Sequence, residues 1–255
     1  MKNFKLTIEY DGTNYSGWQR QAQEPTVQGE IERALALMTR STVTVIGAGR
    51  TDAGVHALGQ VANFRCDTHL DPEAFLRGLN SLLPADIAIC DCRLVPDGFH
   101  ARFDAKSKIY HYRILNRDTR PAVNRAYAWF IHRPLDLAAM RRATGVVVGR
   151  HDFKAFEGTG SPRAHTLRNV LAADWVEGKG RCLIFQIEAD GFLRCMVRNI
   201  VGTLAAVGLG KLAPGDVQAI MDARDRKRAG ATAPARGLFL MNVRYESGGG
   251  PVLDE

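Results

Sequence analysis

A short glycine-rich segment, residues 47–56, has the greatest potential for chemistry in this sequence. Within it, Arg50 and Asp52 are separated only by Thr51. The segment directly follows an apolar, strand-like run that ends at Ile46. Because glycine permits tight and left-handed backbone, the segment is predicted to be a sharply folded loop. A polar cluster on a loop between two strands is a common location for binding or catalytic groups.

A dinucleotide-binding turn is the first alternative for this segment. A strand followed by Gly47-x-Gly49, with the acidic Asp67 about twenty residues beyond, is typical of that turn. However, Asp52 stands where the fingerprint has its third glycine, and its carboxylate would repel a pyrophosphate. Later glycines also interrupt the long helix that should follow, so these features argue against a dinucleotide site.

A purely structural role is the second alternative. Thr51 or Asp52 could cap a short helical turn, because both residue types accept hydrogen bonds from backbone N–H groups. Arg50 could be an ordinary solvated charge. Spacing alone leaves the structural and the chemical interpretations open.

The octapeptide Gly-Arg-Thr-Asp-Ala-Gly-Val-His, residues 49–56, resembles the signature loop of the bacterial tRNA pseudouridine synthase A family. The resemblance extends from the Asp11-Gly12 turn to the last predicted strand, and this loop is its most specific part. It implies that Asp52 is the catalytic nucleophile. Arg50 is then expected to bind substrate, by steering a phosphate or helping to evict the target base.

Two tyrosines, Tyr110 and Tyr112, lie on one face of a predicted strand because side chains alternate along a strand. Tyr112 is expected to belong to the core. The preceding segment, residues 99–103, and the tyrosine pair resemble a segment of the same family in which the first tyrosine packs in the active site. Tyr110 is therefore predicted to stack on an extruded base and to take part in proton transfer.

A predicted apolar helix, Phe192 to Val207, contains Arg194 and Arg198, which would share one helix face at a spacing of four. An arginine in such apolar surroundings must reach solvent or pair with a carboxylate. The segment resembles the family helix whose arginine pairs with the catalytic aspartate, which makes Arg198 the predicted partner of Asp52. Family members often have histidine where Arg194 or Cys195 stands, so Arg194 is only a candidate for substrate binding.

The resemblance implies an enzyme that isomerises uridines at positions 38, 39 and 40 of the tRNA anticodon stem-loop to pseudouridine. A stacked base must be flipped out to react, and stem RNA is recognised mainly by shape and backbone. The reaction implies no cofactor, and the family is homodimeric. One alternative is an RNA-binding module without catalysis. Another is a glycosidase, which normally needs a pair of carboxylates.

Bulk composition is compatible with these expectations. The 255 residues carry a formal net charge of +7, which suits a polyanionic partner such as tRNA without requiring one. No apolar run reaches membrane-spanning length, and no secretory signal is recognisable, so a cytoplasmic location is the expectation. Five cysteines lack zinc spacing, which predicts small buried apolar residues and no metal.

The order of predicted elements indicates an α+β fold of two ferredoxin-like βαββαβ lobes whose antiparallel sheets meet to form a central cleft. An N-terminal lobe with the catalytic loop is predicted over residues 1–104, a C-terminal lobe over residues 105–245 and a flexible tail over residues 246–255. The N-terminal lobe has predicted strands at residues 4–10, 43–47, 60–65 and 87–92 and helices starting at Thr26 and Asp71. The C-terminal lobe has predicted strands at residues 108–115, 167–175, 182–187 and 238–245 and helices at residues 135–144, 192–207 and 216–223.

Two basic segments near the end of the chain are also candidates for RNA contact. The charged run of residues 222–228, which includes Arg224 and Arg228, is predicted to be a solvated helix end, with phosphate contact as the alternative. The segment Ala233-Pro-Ala-Arg-Gly-Leu238 matches the family and is predicted to be a structural loop that places Arg236 near RNA.

Overall fold

The computed structural model describes residues 1–160 and 165–245. Within them the chain is α+β, as predicted, with ten strands in one sheet and five α-helices. The strands are β1 (Lys2–Tyr10), β2 (Val45–Gly47), β3 (His56–Cys66), β4 (Ile87–Val95), β5 (Ser107–Asn116), β6 (Trp129–Ile131), β7 (Gly149–Asp152), β8 (Leu167–Gly178), β9 (Cys182–Ala189) and β10 (Leu238–Arg244). The helices are α1 (Val27–Thr39), α2 (Pro72–Leu82), α3 (Leu137–Thr144), α4 (Met196–Gly208) and α5 (Asp216–Ala223).

The sheet is continuous across both halves of the chain. Its strand order is β4-β1-β3-β10-β5-β9-β8-β7, with β2 beside β3 and β6 beside β5. Strand β10, from the end of the chain, pairs in parallel with β3 and antiparallel with β5. The last strand therefore joins the first half of the sheet to the second, and it brings the loop before β3 close to the tyrosines of β5.

Helix starts follow the capping signals in the sequence. The Asp71 side chain accepts a hydrogen bond from the Ala74 backbone N–H at 2.7 Å, and proline follows at the first helical position of α2. Thr26 caps α1 in the same way through the Gly29 backbone N–H. Because each cap satisfies a backbone donor that the helix itself leaves free, these starts could be predicted from local chemistry.

The fourth helix begins later than its apolar pattern predicts. Helix α4 starts at Met196, not at Phe192, because Cys195 adopts the left-handed conformation, with φ of 57°. Arg194 therefore lies in the turn before the helix, and the predicted helix face shared by Arg194 and Arg198 does not exist.

Other boundaries were set by strand pairing. Strand β3 begins at His56, before the predicted start, because it pairs with both β1 and β10 there. Residues 149–156, where no helix or strand was predicted, contain edge strand β7 and a 3₁₀ turn, Lys154–Phe156. Short polar strands of this kind have little pattern of their own and form because a neighbouring strand offers free backbone groups.

The hydrophobic core lies against the sheet in both halves. In the first half Phe4 packs against Phe64 and Phe75, with ring centroids 5.2 and 4.8 Å away. In the second half Trp175 packs against Phe185 at 5.1 Å. These aromatic groups fix the strands that carry the loop and the tyrosines.

The cysteines are less uniformly buried than predicted. All five are free thiols, and Cys66 is buried as expected, whereas Cys90 is exposed. Cys90 alternates with buried residues of β4 and so faces away from the core.

No helix in the described ranges combines the length and apolar character needed to cross a bilayer. The predicted flexible tail, residues 246–255, lies outside the described residues. The sheet itself does not mark the predicted boundary between residues 104 and 105, because β10 links the strands on both sides of it.

Candidate active site

The loop after β1 packs against the turn that carries Asp52 and is hydrogen-bonded to it. The Trp18 backbone N–H donates to the Thr51 carbonyl at 3.2 Å, and the Gly54 N–H donates to the Tyr15 carbonyl at 3.3 Å. Between them Gly17 has a φ of +98°, and a Cβ there would lie 2.6 Å from the Thr51 oxygen. Only glycine allows the two loops to approach this closely.

Thr51 fixes the turn to the sheet. Its hydroxyl lies 2.8 Å from the hydroxyl of Tyr10 on β1, and both residues are buried. The side chain of Asp52 bonds to groups on another element. Neither side chain therefore caps a helix in the described ranges, so the capping alternative for the pair is wrong.

An ion pair joins the turn to α4. Arg198 Nη1 lies 3.1 Å from Asp52 Oδ2, and the two side chains are 17% and 27% exposed. The Arg198 Nε–H also donates to the Ala233 carbonyl at 2.8 Å, which fixes the plane of the guanidinium. Since both charges are largely removed from water, they attract each other more strongly than the charges of a surface salt bridge do. Removal of either partner would leave a poorly solvated charge.

Cys195 gives Asp52 a second hydrogen-bond donor. Its thiol lies 3.3 Å from Asp52 Oδ2. Burial, and then the nearby Asp52 carboxylate, raises the pKa of the Cys195 thiol, so the group stays protonated and donates. Both donors reach the same oxygen. Sequence reasoning missed this contact because nothing local predicts the left-handed backbone that points Cys195 at the turn.

Tyr110 lies on β5 in the centre of the sheet. Its side chain is only 6% exposed, and its ring packs edge-on against Phe192, with centroids 5.0 Å apart. Burial raises the pKa of Tyr110, and Tyr10 and Asp52 raise it further, so the hydroxyl is protonated at neutral pH. The charge of Asp52 acts on Tyr110, so the two residues lie near each other.

The second tyrosine belongs to the core, as predicted. Tyr112 is fully buried, and its hydroxyl donates to the Pro234 carbonyl at 2.8 Å.

Lys108 is a second cation near the loop, and sequence reasoning assigned it no role. A Cβ placed on Gly49 would lie 3.1 Å from the Lys108 side chain. Burial, and then the charge of Arg102, lowers the pKa of Lys108. The signal was available in the sequence, because Lys108 shares a strand face with Tyr110.

The two other predicted substrate-binding arginines lie outside this cluster. Arg50 is exposed and makes no hydrogen bond or ion pair to residues 1–160 or 165–245. Arg194 is also exposed, and its guanidinium donates to the Thr159 carbonyl at 2.8 Å. The structure thus brings Asp52, Tyr110 and Arg198 together, but not Arg50 and Arg194.

Part of the charged run near the end of the chain has a structural role. Arg226 donates to Asn199 Oδ1 at 3.0 Å and to the Gly230 carbonyl at 2.9 Å. Arg224 pairs with Asp152 at 3.2 Å. These contacts hold the segment after α5 against α4 and β7. Most residues of the run are nevertheless exposed, as a solvated helix end predicts.

A single carboxylate that carries two hydrogen bonds on one oxygen can act as a nucleophile or a base through the other oxygen. The side-chain partners that Asp52 has in the described ranges are Arg198 and Cys195. The same ranges contain no cluster of three or more histidine, cysteine or acidic residues arranged to hold a metal ion.

The chain matches the sequence model of the family described as "tRNA pseudouridine synthase" over residues 6–104 and 143–246. It is 47% identical over 247 residues to the tRNA pseudouridine synthase A of Moorella thermoacetica and 46% identical over 245 residues to that of Clostridium acetobutylicum. Each match covers 96% of this chain and 100% of the relative.

A solved structure of an H/ACA RNP bound to a substrate RNA containing 2′-deoxyuridine is similar at a TM-score of 0.33 and 14% identity. That match covers 80% of this chain and 42% of the other. A similarity at this level carries no argument about the fold.

Proposed function

Because the chain belongs to the tRNA pseudouridine synthase family, whose enzymes isomerise uridine to pseudouridine, we propose that it modifies uridines 38, 39 and 40 of the tRNA anticodon stem-loop, with Asp52 as the nucleophile. The observation that carries this proposal is the ion pair between Arg198 and Asp52, at 3.1 Å. A carboxylate paired with a guanidinium near a buried tyrosine matches the chemistry that the reaction needs.

The reaction exchanges one bond to the sugar for another. The N1–C1′ bond of uridine breaks and the C5–C1′ bond forms, while C5 loses its hydrogen and N1 gains one. No electrons are lost or gained overall. Asp52 would act on the nucleoside through Oδ1, because Arg198 and Cys195 both bind Oδ2. The guanidinium would hold the carboxylate in position for the reaction.

Tyr110 is proposed to line the base pocket. Its protonated hydroxyl could donate a proton or a hydrogen bond to the detached base, and its ring offers a surface for stacking. Lys108 would add positive charge at the far side of the loop.

The target base must leave the RNA stack before it can reach Asp52, so we propose base flipping. Arg50 is exposed on the same turn and unpaired within the described ranges. It is therefore suited to bind a phosphate or to fill the space that the flipped base leaves in the stack. Arg194 could contact RNA from the turn before α4.

The strand order supports two ferredoxin-like lobes, residues 1–104 and 105–245, which would frame a central cleft. The order β4-β1-β3-β2 in the first half recurs as β10-β5-β9-β8 in the second. We further propose that the enzyme is a cytoplasmic homodimer and works without a cofactor or metal.

The test is tritium release from tRNA that contains 5-³H-uridine, because C5 loses its hydrogen only when it bonds to C1′. Asp52→Asn keeps the shape of the side chain and removes its charge. We expect the variant to lose release by at least about a thousandfold while it still binds tRNA. Release at the wild-type rate would remove Asp52 from the mechanism.

Position is tested with three tRNA substrates that carry a single uridine, at position 38, 39 or 40, and a fourth with none of them. Release from the first three and not from the fourth would support the anticodon stem-loop assignment. Release from the fourth tRNA would contradict that assignment and leave the activity itself intact.

A further inference from the structure

A pocket of about 610 Å³ adjoins the turn that carries Asp52. Gly54 forms part of its wall, and a Cβ on Gly54 would lie 3.3 Å from Ala235 in the same wall. Gly54 follows Asp52 by two residues, so their Cα atoms are at most about 7.6 Å apart. A ligand in this pocket would therefore lie close to a nucleotide bound at Asp52.

Three arginines line the pocket: Arg120, Arg125 and Arg236. All three are exposed, and none forms an ion pair with a carboxylate in the described ranges. Arginine does not lose its proton at any physiological pH, so the mutual repulsion of three guanidiniums is relieved only by solvent, salt or an anionic ligand. Pro121 and Phe130 supply an apolar surface between the charges.

A buried histidine holds the two arginine-bearing walls together. His56 is 2% exposed, and its Nε2 lies 3.2 Å from the Ala126 carbonyl and also faces the Arg236 carbonyl. Tyr127 fastens the same wall, because its hydroxyl donates to Asp11 at 2.7 Å. The pocket is built from four separate segments, and these contacts hold them together.

The geometry points to an anion site. We infer that the pocket binds backbone phosphates of the substrate tRNA next to the nucleotide whose base enters the Asp52 site. Guanidinium groups match the geometry of phosphate oxygens and bind them through paired hydrogen bonds. A strand of RNA brings one phosphate with each nucleotide, which suits a set of cations better than a single free anion does. This inference rests on the proposed function, since it names how that same substrate is held.

The test is the affinity for tRNA as a function of salt. The double variant Arg120→Gln/Arg125→Gln removes two guanidiniums and leaves Arg236, which also binds the Ala128 carbonyl, in place. We expect its Kd for tRNA at about 0.1 M salt to rise about tenfold. The slope of log Kd against log salt should fall by about 0.7 for each phosphate that the variant no longer neutralises.

The matched control is Arg33→Gln/Arg77→Gln, which removes the same charge from α1 and α2. Both of these arginines are exposed and pair with a glutamate of their own helix. We expect less than a twofold change in Kd for the control. A double pocket variant that melts like the wild type and keeps its Kd and salt slope would overturn the inference.

Inorganic phosphate tests whether the pocket binds a free anion or the backbone phosphates of tRNA. If phosphate raises the melting temperature of the wild type but not of the pocket variant, and the Kd for tRNA is the same in both, the pocket is a free-anion site and the RNA assignment is wrong. If the pocket variant weakens tRNA binding as expected, the assignment is supported whether or not phosphate binds.

The proposed function and this inference can fail separately. Wild-type protein that releases no tritium would refute the proposed function. The difference in salt slope between the pocket variant and its control would still test the pocket, because binding does not require turnover.

Discussion

Arginine is used in opposite ways in two regions next to the turn that carries Asp52. In one region Arg198 is mostly buried and is held by Asp52 and the Ala233 carbonyl. In the other region, the pocket, Arg120 and Arg125 are exposed and have no carboxylate partner in the described part of the chain.

The difference shows how burial and pairing change the effect of the same side chain. A buried, paired guanidinium sets the charge and orientation of one carboxylate, and salt has little effect on it. An exposed, unpaired guanidinium attracts polyanions, and added salt weakens that attraction. We therefore expect changes on the Asp52 side to affect turnover and changes on the pocket side to affect affinity.

The sharpest test of this comparison is Arg198→Lys. Lysine keeps the positive charge, but it cannot bind Asp52 and Ala233 at once with a planar fork. We expect kcat to fall by about a hundredfold or more, with an unchanged salt slope for tRNA binding. A defect that appears only in Kd would mean that Arg198 belongs with the pocket arginines.

The contact between the two loops is tested by Gly17→Ala. A Cβ at Gly17 would lie 2.6 Å from the Thr51 oxygen, on backbone with a φ of +98°. We expect a decrease of about 2 to 3 kcal/mol in the free energy of unfolding, because the added atom must push the turn away and the backbone is strained. Urea denaturation measures it, and Gly98→Ala is the control, since a Cβ there meets nothing within 4 Å. Equal stability of the two variants would show that the turn can shift freely.

The second donor to Asp52 is tested by Cys195→Ala and Cys195→Ser. The alanine variant loses a hydrogen bond to a charged group, and we expect kcat to fall about threefold to tenfold. Serine retains a donor to Asp52 Oδ2 and should restore most of the wild-type kcat. If alanine and serine behave alike, Cys195 has only a packing role.

The smallest expected effect concerns the histidine that holds the pocket walls. Burial lowers the pKa of His56 by more than the neighbouring Asp11 raises it. In the unfolded chain His56 therefore takes up a proton near pH 6.5, whereas in the folded chain it does so only at lower pH. The free energy of unfolding should fall as the pH drops below 6.5. Asp11 does not contribute in this window. Burial alone would raise its pKa, but hydrogen bonds from Thr13 and Tyr127 and the charge of His56 keep it low.

The measurement is the melting temperature at pH 7.5 and at pH 5.5. His56→Asn removes the titrating ring, and we expect its drop in melting temperature between the two pH values to be smaller than that of the wild type by about 2 °C or more. Equal drops would show that His56 stays neutral in both states or protonates without cost.

Local chemistry predicted much of the fold. Capping residues such as Asp71 and Thr26 located helix starts, and alternating apolar residues located most of the strands, because these signals act within a few residues. Prediction failed at Cys195 and at β7. A left-handed residue has no local signature there, and a short polar strand forms only when a neighbour is ready to pair with it.

The sequence by itself determined that a carboxylate would stand on a glycine-bent loop, and its resemblance to one family selected Asp52, Tyr110 and Arg198 as the site. Their chemical roles stay predictions. Only the tertiary structure decided which groups meet. Asp52 and Arg198 are 146 residues apart in the chain, and the arginine pocket draws on four separate segments. Contacts at such separations depend on how the completed sheet places its loops, because only the paired strands fix the distances between them.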